Sequence, residues 1–143
     1  MRGDRQITKY TVTLSIRIVR LGSERSPDEG PRLGTVRRPP RGVPKYSFAS
    51  RNFYDVWLPN LAPSEALLKE GLSVGDEKAW KAFARRYRAE MKAPEITRVL
   101  ETLAALSHDT NFSVGCYCAD ESRCHRSLLR ELLVEAGASV DAK

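Results

Sequence analysis

The sequence predicts an α/β fold: a single domain with a small, mostly parallel sheet flanked by helices. Three observations predict it. An alternating β-branched run stands near the amino terminus, apolar residues recur at helical spacing over four later stretches, and a short apolar run separates the last two of these stretches. Strands separated by helices need crossover connections, which are right-handed and make the strands parallel. The 143 residues suffice for one domain with an adequate core. The domain is expected over residues 1–143, with residues 1–9 as a flexible tail.

The first strand is expected over residues 10–19, where Tyr10, Val12, Leu14, Ile16 and Ile18 alternate with Thr11, Thr13, Ser15 and Arg17. A Gly, Ser, Pro and Asp-rich loop follows from Gly22 to Gly30. Leu33 to Arg38 reads as a second strand, stopped by Pro39-Pro40, since proline lacks an amide donor. Phe53 to Leu58 reads as extended. Pro63-Ser64 opens a helix that Gly71 ends, with Glu65 complementing its dipole. Asp76 caps the next helix, which gathers Trp80, Phe83, Ala84, Tyr87 and Met91 on one face and stops before Pro94. A third helix spans 95–106. Phe112 to Cys118 is the buried strand, and Asp120 or Ser122 is expected to cap the helix behind it. That helix carries Leu128, Leu129, Leu132, Leu133 and Ala136 on one face and ends at Gly137. Residues 138–140 read as a small last strand.

Composition narrows the setting. No apolar run approaches the ~20 residues of a membrane span, and no signal peptide is evident. Three cysteines within nine residues do not make a disulfide framework. These features point to a cytoplasmic protein that does not enter a membrane. The net charge of +6 favours phosphate-bearing ligands or nucleic acid, although no zinc-finger spacing or RNA-binding strand signature is present.

In open parallel sheets, ligands sit beyond the carboxyl ends of the strands, and the segment from Cys116 to Arg126 falls at such a position. It supports three readings. As an anion site, a helix amino terminus joins Arg123 and Arg126, and the same dipole favours thiolate at Cys124. As a metal site, Cys116, Cys118, Cys124 and His125 supply four possible ligands, although the spacing fits no usual zinc module. As plain structure, the cysteines fill the core.

A phosphatase loop would enclose five residues between cysteine and arginine. Cys118 encloses four before Arg123 and seven before Arg126, so that reading fails. Adjacent Cys124 and His125 on a helix would point roughly 100° apart and are not expected to pair or to share an ion. Arg37, Arg38 and Arg41 follow the second strand and are expected near the same sheet edge. A basic stripe of Lys78, Lys81, Arg85, Arg88 and Lys92 offers an alternative, non-enzymatic surface for nucleic acid.

The stretches Gly34 to Val43, Tyr54 to Trp57 and Leu61 to Ser64 resemble the bacterial and archaeal domain-of-unknown-function family 488. So do the Trp80, Phe83 and Tyr87 helix, Cys118 to Glu121, and Cys124-His125-Arg126. The likeness spans roughly residues 14 to 136. The arginine–proline turn and Ala62-Pro63-Ser64 resemble the family's shorter branch, and the Cys-His-Arg triplet resembles the other. Arg37-Arg38-Pro39-Pro40 replace the Asp-Arg and Trp often found in the first turn of the short branch. The resemblance implies a single α/β domain and no particular activity or cofactor.

Together these readings give one leading expectation. Arg37, Arg38, Arg41, Arg123, His125 and Arg126 hold a phosphate-bearing ligand, and Cys118 and Cys124 are the candidate reactive groups. A metal or thiol-redox site is the alternative.

Overall fold

The structure is a computed structural model that describes residues 13–71 and 76–142 of the chain. Four strands form one sheet: β1 (Ile16–Arg20), β2 (Arg32–Gly34), β3 (Val56–Trp57) and β4 (Phe112–Cys116). Their order is β1-β4-β2-β3, and every pairing is parallel. Four helices accompany them: α1 (Glu65–Gly71), α2 (Glu77–Glu90), α3 (Pro94–Leu106) and α4 (His125–Glu135). The expected α/β single domain is therefore observed. No helix among the described residues is long and apolar enough to cross a membrane.

β4 lies between β1 and β2, and all five of its residues are buried. A strand covered on both faces needs such a continuous apolar run. Its Phe112 and Val114 join Ile16, Leu129, Leu133, Leu100 and Tyr87 in the main core, to which α2, α3 and α4 turn their apolar faces. A second apolar cluster gathers Leu21, Val36, Tyr54, Cys116 and Cys124. Leu21 and Val36 follow strands that run the same way, and Cys116 ends one, so this cluster sits at the carboxyl end of the sheet. Gly34 stands opposite Gly115 there. A Cβ on Gly34 would fall 2.3 Å from Cδ2 of Tyr54, so the tyrosine ring packs where that side chain would be.

Several boundaries differ from the sequence-based expectation. β1 begins at Ile16, because the amide of Ser15 turns to the side chain of Asn111 at 2.9 Å. The part of that run before Thr13, and the expected tail, lie outside the described residues. β2 stops at Gly34, and the carbonyls of Thr35 and Val36 bond to side chains instead. Between Phe53 and Leu58, only Val56 and Trp57 join the sheet. The last expected strand is a single bridge between Ile16 and Val140.

The helix starts follow their capping chemistry. The hydroxyl of Ser64 accepts from the amide of Leu67 at 3.2 Å, and Asp76 accepts from Ala79 at 2.7 Å. Pro94 occupies the first turn of α3, where its missing amide costs nothing.

Among the described residues, Arg32 and Glu29 form a buried ion pair. Arg32 and Glu29 are 1% and 2% exposed, and Arg32 Nε donates to Glu29 at 2.5 Å. The Ser113 hydroxyl on β4 donates to the same carboxylate at 2.6 Å. Arg32 also donates to the carbonyls of Ser23 and Asn52, so the pair is satisfied in the way a buried pair requires.

Candidate functional site

β4 ends at Cys116, two residues earlier than the sequence suggests, because the amide of Cys118 turns back toward the Cys116 sulfur at 3.4 Å. Asp120 accepts from the amide of Ser122 at 3.0 Å and caps only a short 3-10 turn, Glu121–Arg123. Neither Asp120 nor Ser122 caps α4. Cys124 does: its backbone is extended, with φ −126 and ψ 151, and its sulfur accepts from the amide of Arg126 at 3.5 Å. Cys124 therefore lies outside the helix, and the 100° separation expected between it and His125 does not apply. Cys124 Sγ stands 3.8 Å from His125 Nδ1. It also stands 3.1 Å from Cys116 Sγ. The ligand atoms of Cys116, Cys124 and His125 all lie within 4.8 Å of one another.

Histidine orientation is set from β2. His125 Nε2 donates to the carbonyl of Thr35 at 2.8 Å. A nitrogen that donates there carries the proton, which leaves a lone pair on Nδ1, the nitrogen facing Cys124. The amide and hydroxyl of Thr35 both bond to the Gly115 carbonyl, at 3.0 and 2.9 Å, so the carbonyl that receives the histidine is held in place. Burial pushes His125 down to about 4, against the bond to Thr35, which favours the proton. The ring is neutral at pH 7. Tyr87 packs against it at 5.5 Å between ring centres and donates to the carbonyl of Leu61 at 2.7 Å.

The three thiols differ in charge and access. Cys116 and Cys124 are buried, and Cys118 is exposed. Hydrogen bonds from Cys116 and Cys124 hold the Cys118 thiol far below its ordinary value of 9.0, and Arg126 adds to this. The bonds to Cys118 and Cys124, together with burial, push Cys116 up. The bond from Cys116 draws Cys124 down, but its bond to Cys118 and its burial outweigh this and raise it. The exposed thiol is thus the one drawn down, and the two buried thiols are pushed up.

Arg126 is 3% exposed and donates through Nη2 to the carbonyl of Cys118 at 2.6 Å. Its Nε has no hydrogen-bond partner among the described residues. A buried guanidinium stays charged and needs an opposite charge nearby, and Cys118 is close enough to respond to it.

The other arginines are placed differently. Arg37 Nε donates to the carbonyl of Pro63 at 3.0 Å, and its Nη2 donates to those of Pro59 and Ala62, at 3.1 and 3.3 Å. It joins the arginine–proline turn to the Leu61-Ala62-Pro63 segment. Arg38 is exposed and pairs with Glu65 at 2.7 Å. Arg123 pairs with Glu77 at 2.9 Å and lies over the Trp80 ring. Arg37, Arg38, Cys116, Cys118 and His125 line one cavity of about 250 Å³, whose wall is otherwise apolar. Arg41, Arg123 and Arg126 are not among its lining residues. On the basic helix, Arg88 is bound to Glu131 and Glu135, and Lys78, Lys81, Arg85 and Lys92 are exposed.

Thr35, Tyr87 and Tyr117 complete the surroundings. Tyr117 donates to the carbonyl of Arg38 at 2.9 Å, which ties the turn after β4 to the turn after β2. Sequence reasoning did not single out Thr35 or Tyr117. Their signal was position: each falls inside an expected strand and directly follows the observed one, where the strand ends earlier than its periodicity suggests.

The family model for DUF488-N3a, described as the active DUF488-N3 subclade, matches residues 16–137. No curated protein and no solved structure gives a significant match to the chain.

Proposed function

We propose, from the premise that the chain belongs to the DUF488-N3a family, that it is a cysteine-dependent enzyme acting on a phosphate-bearing ligand, with Cys118 as its nucleophile. One observation carries this reading. An exposed thiol lines a cavity beyond the carboxyl end of β4 together with Cys116 and His125, and the buried Arg126 donates to the Cys118 carbonyl; hydrogen bonding from the neighbouring thiols draws its pKa down. The family's description as an active subclade agrees with a chemical role.

Each residue has a part in this reading. Cys118 Sγ forms a covalent bond to an electrophilic carbon of the ligand, and the leaving group departs with its electron pair. Water then releases the product and restores the thiolate. Arg38, exposed at the cavity, attracts the phosphate, and Arg126 balances the thiolate charge while no ligand is bound. Cys116 and Cys124 are donors that hold the thiolate. His125 positions Cys124.

The pH profile of Cys118 alkylation by iodoacetamide tests this. In a Cys116→Ala, Cys124→Ala background, which removes both donors, the midpoint should rise toward the free-thiol value of about 8.5. In the natural chain, Cys118 should react fully at pH 6. A natural chain whose Cys118 titrates near the free-thiol value removes the nucleophile from the reading.

The closeness of Cys116, Cys124 and His125 favours a second reading. Two cysteines, which would lose their protons on binding, and a neutral imidazole with its other nitrogen bonded to a carbonyl suit zinc or another soft divalent ion, with the fourth position open to water or to the nearby Cys118. Metal analysis of protein purified without chelator separates the two: one zinc per chain with Cys118 inert to iodoacetamide selects the metal.

A further inference from the structure

A second cavity, of about 500 Å³, plays no part in the function proposed above. Its wall is aromatic: Tyr46, Phe48, Tyr54 and Trp57, with Pro39 and Lys45 beside them. Tyr46 is 88% exposed and Trp57 is 43% exposed. Phe48 and Tyr54 meet edge to face, 5.2 Å between centres, and are fixed in the second apolar cluster. The indole of Trp57 donates to the carbonyl of Val36 at 2.8 Å. Its hydrogen bond is thus committed and its ring is held, so it offers a face rather than a donor.

The charges around these rings favour an anion-bearing ligand. Asp55 is the acidic residue of the wall, and its carboxylate is held by Arg25 at 2.8 Å and by the Arg32 amide at 2.7 Å. Lys45 lies in the wall, and Arg41 and Arg51 are exposed on the flanking loop. Exposed aromatic faces beside cations suit stacked bases that carry a phosphate, because every base has a face to stack and every phosphate a charge to neutralise.

The groove adjoins the cysteine site. Pro39 lines the groove, and Arg38, the residue before it, lines the thiol cavity. Tyr54 and Phe48 belong to the same apolar cluster as Cys116 and Cys124. We propose that this groove is a nucleobase platform. The base stacks on Tyr46 and Trp57, and the attached phosphate reaches toward Arg38. The proposal rests on the cysteine reading only for the chemistry that follows; binding itself does not need Cys118. The base can come from a free nucleotide or from a single strand.

The chain has two tryptophans, so in a Trp80→Phe variant Trp57 is the sole indole reporter. Its fluorescence is titrated with AMP, CMP, a ten-nucleotide single-stranded DNA and RNA, ribose 5-phosphate and a proline-rich peptide. The expected result is quenching by a nucleotide or by a single strand, weakened about tenfold by Tyr46→Ala and unchanged by Cys118→Ser. Quenching by mononucleotides identifies a free nucleotide. Binding confined to the strands, and falling with salt, identifies nucleic acid. Three outcomes overturn the platform: no quenching by any base-bearing probe in folded protein, equal quenching by ribose 5-phosphate, or binding of the peptide alone. Quenching with a Cys118 that alkylates only near the free-thiol range sinks the nucleophile and leaves the platform. Low-pH alkylation without quenching does the reverse.

Discussion

At Cys124, a sulfur atom usually discussed for its reactivity also starts a helix. Its extended backbone turns the thiol back toward the Arg126 amide and brings His125 Nδ1 within 3.8 Å. His125 then contributes to stability in a pH-dependent way. The unfolded chain takes up the imidazole proton near the ordinary value of 6.5, whereas burial holds the folded ring down to about 4. Its contribution is fully present above pH 6.5 and is lost as pH falls from there to about 4, by up to about 3 kcal/mol. Urea midpoints at pH 7.5 and 4.5 should show the drop, and His125→Gln should flatten it. An equal drop in that variant assigns it to other groups. Beneath the histidine, Tyr87 is fully buried with its hydroxyl on the Leu61 carbonyl. Tyr87→Phe keeps the ring and strands the carbonyl, which should cost about 1–3 kcal/mol in denaturant unfolding.

At the scale of elements, the close pairing of β1, β4 and β2 depends on glycine where the site begins. A Cβ on Gly115 would lie 2.7 Å from the carbonyl oxygen of Val19, a backbone atom with little room to give. Gly115→Ala should therefore destabilise the protein by about 1–3 kcal/mol, read as a shift in urea midpoint, and should disturb the spacing of Cys116 and Cys124. The elements themselves were largely legible in the sequence. β4 read as a buried run, α2 was announced by Asp76, and α1 was bracketed by Ser64 and Gly71. Their ends were not, because local chemistry competed with periodicity. Asp120 and Ser122 both look like caps for α4, yet they close a separate turn, and a thiol two residues after Ser122 takes the helix. A cysteine cap leaves no compositional mark, so the proximity of Cys124 and His125 could not be read from their adjacency.

For the whole molecule, the parallel sheet predicted from the order of elements brought the cysteines to the carboxyl end of β4, as the topology requires. Pairings made by side chains across loops were less legible. Arg37 looked like a ligand-binding arginine, but its guanidinium bonds to three carbonyls of the Pro59–Pro63 segment. Glu29 looked like a loop residue, yet its buried pair with Arg32 joins the first loop to β2 and β4. Burial opposes the charge on Glu29, but hydrogen bonds from Arg32, Ser113 and Ser26 outweigh it and hold the carboxyl below its usual value. Removing one partner strands a buried charge, so Glu29→Ala should cost about 3–5 kcal/mol by chemical denaturation. A loss below 1 kcal/mol would mean that Arg32 finds another partner.

One strand direction throughout the sheet also gives the molecule a working end and a plain end. The thiols and the arginine–proline turn lie past the strands' carboxyl ends. His108 to Thr110, exposed before β4, lie at the opposite rim. An affinity handle or surface tether placed at Asp109 would therefore present the thiol cavity outward to solution, so the chain can be immobilised for ligand screening without covering the surface being screened.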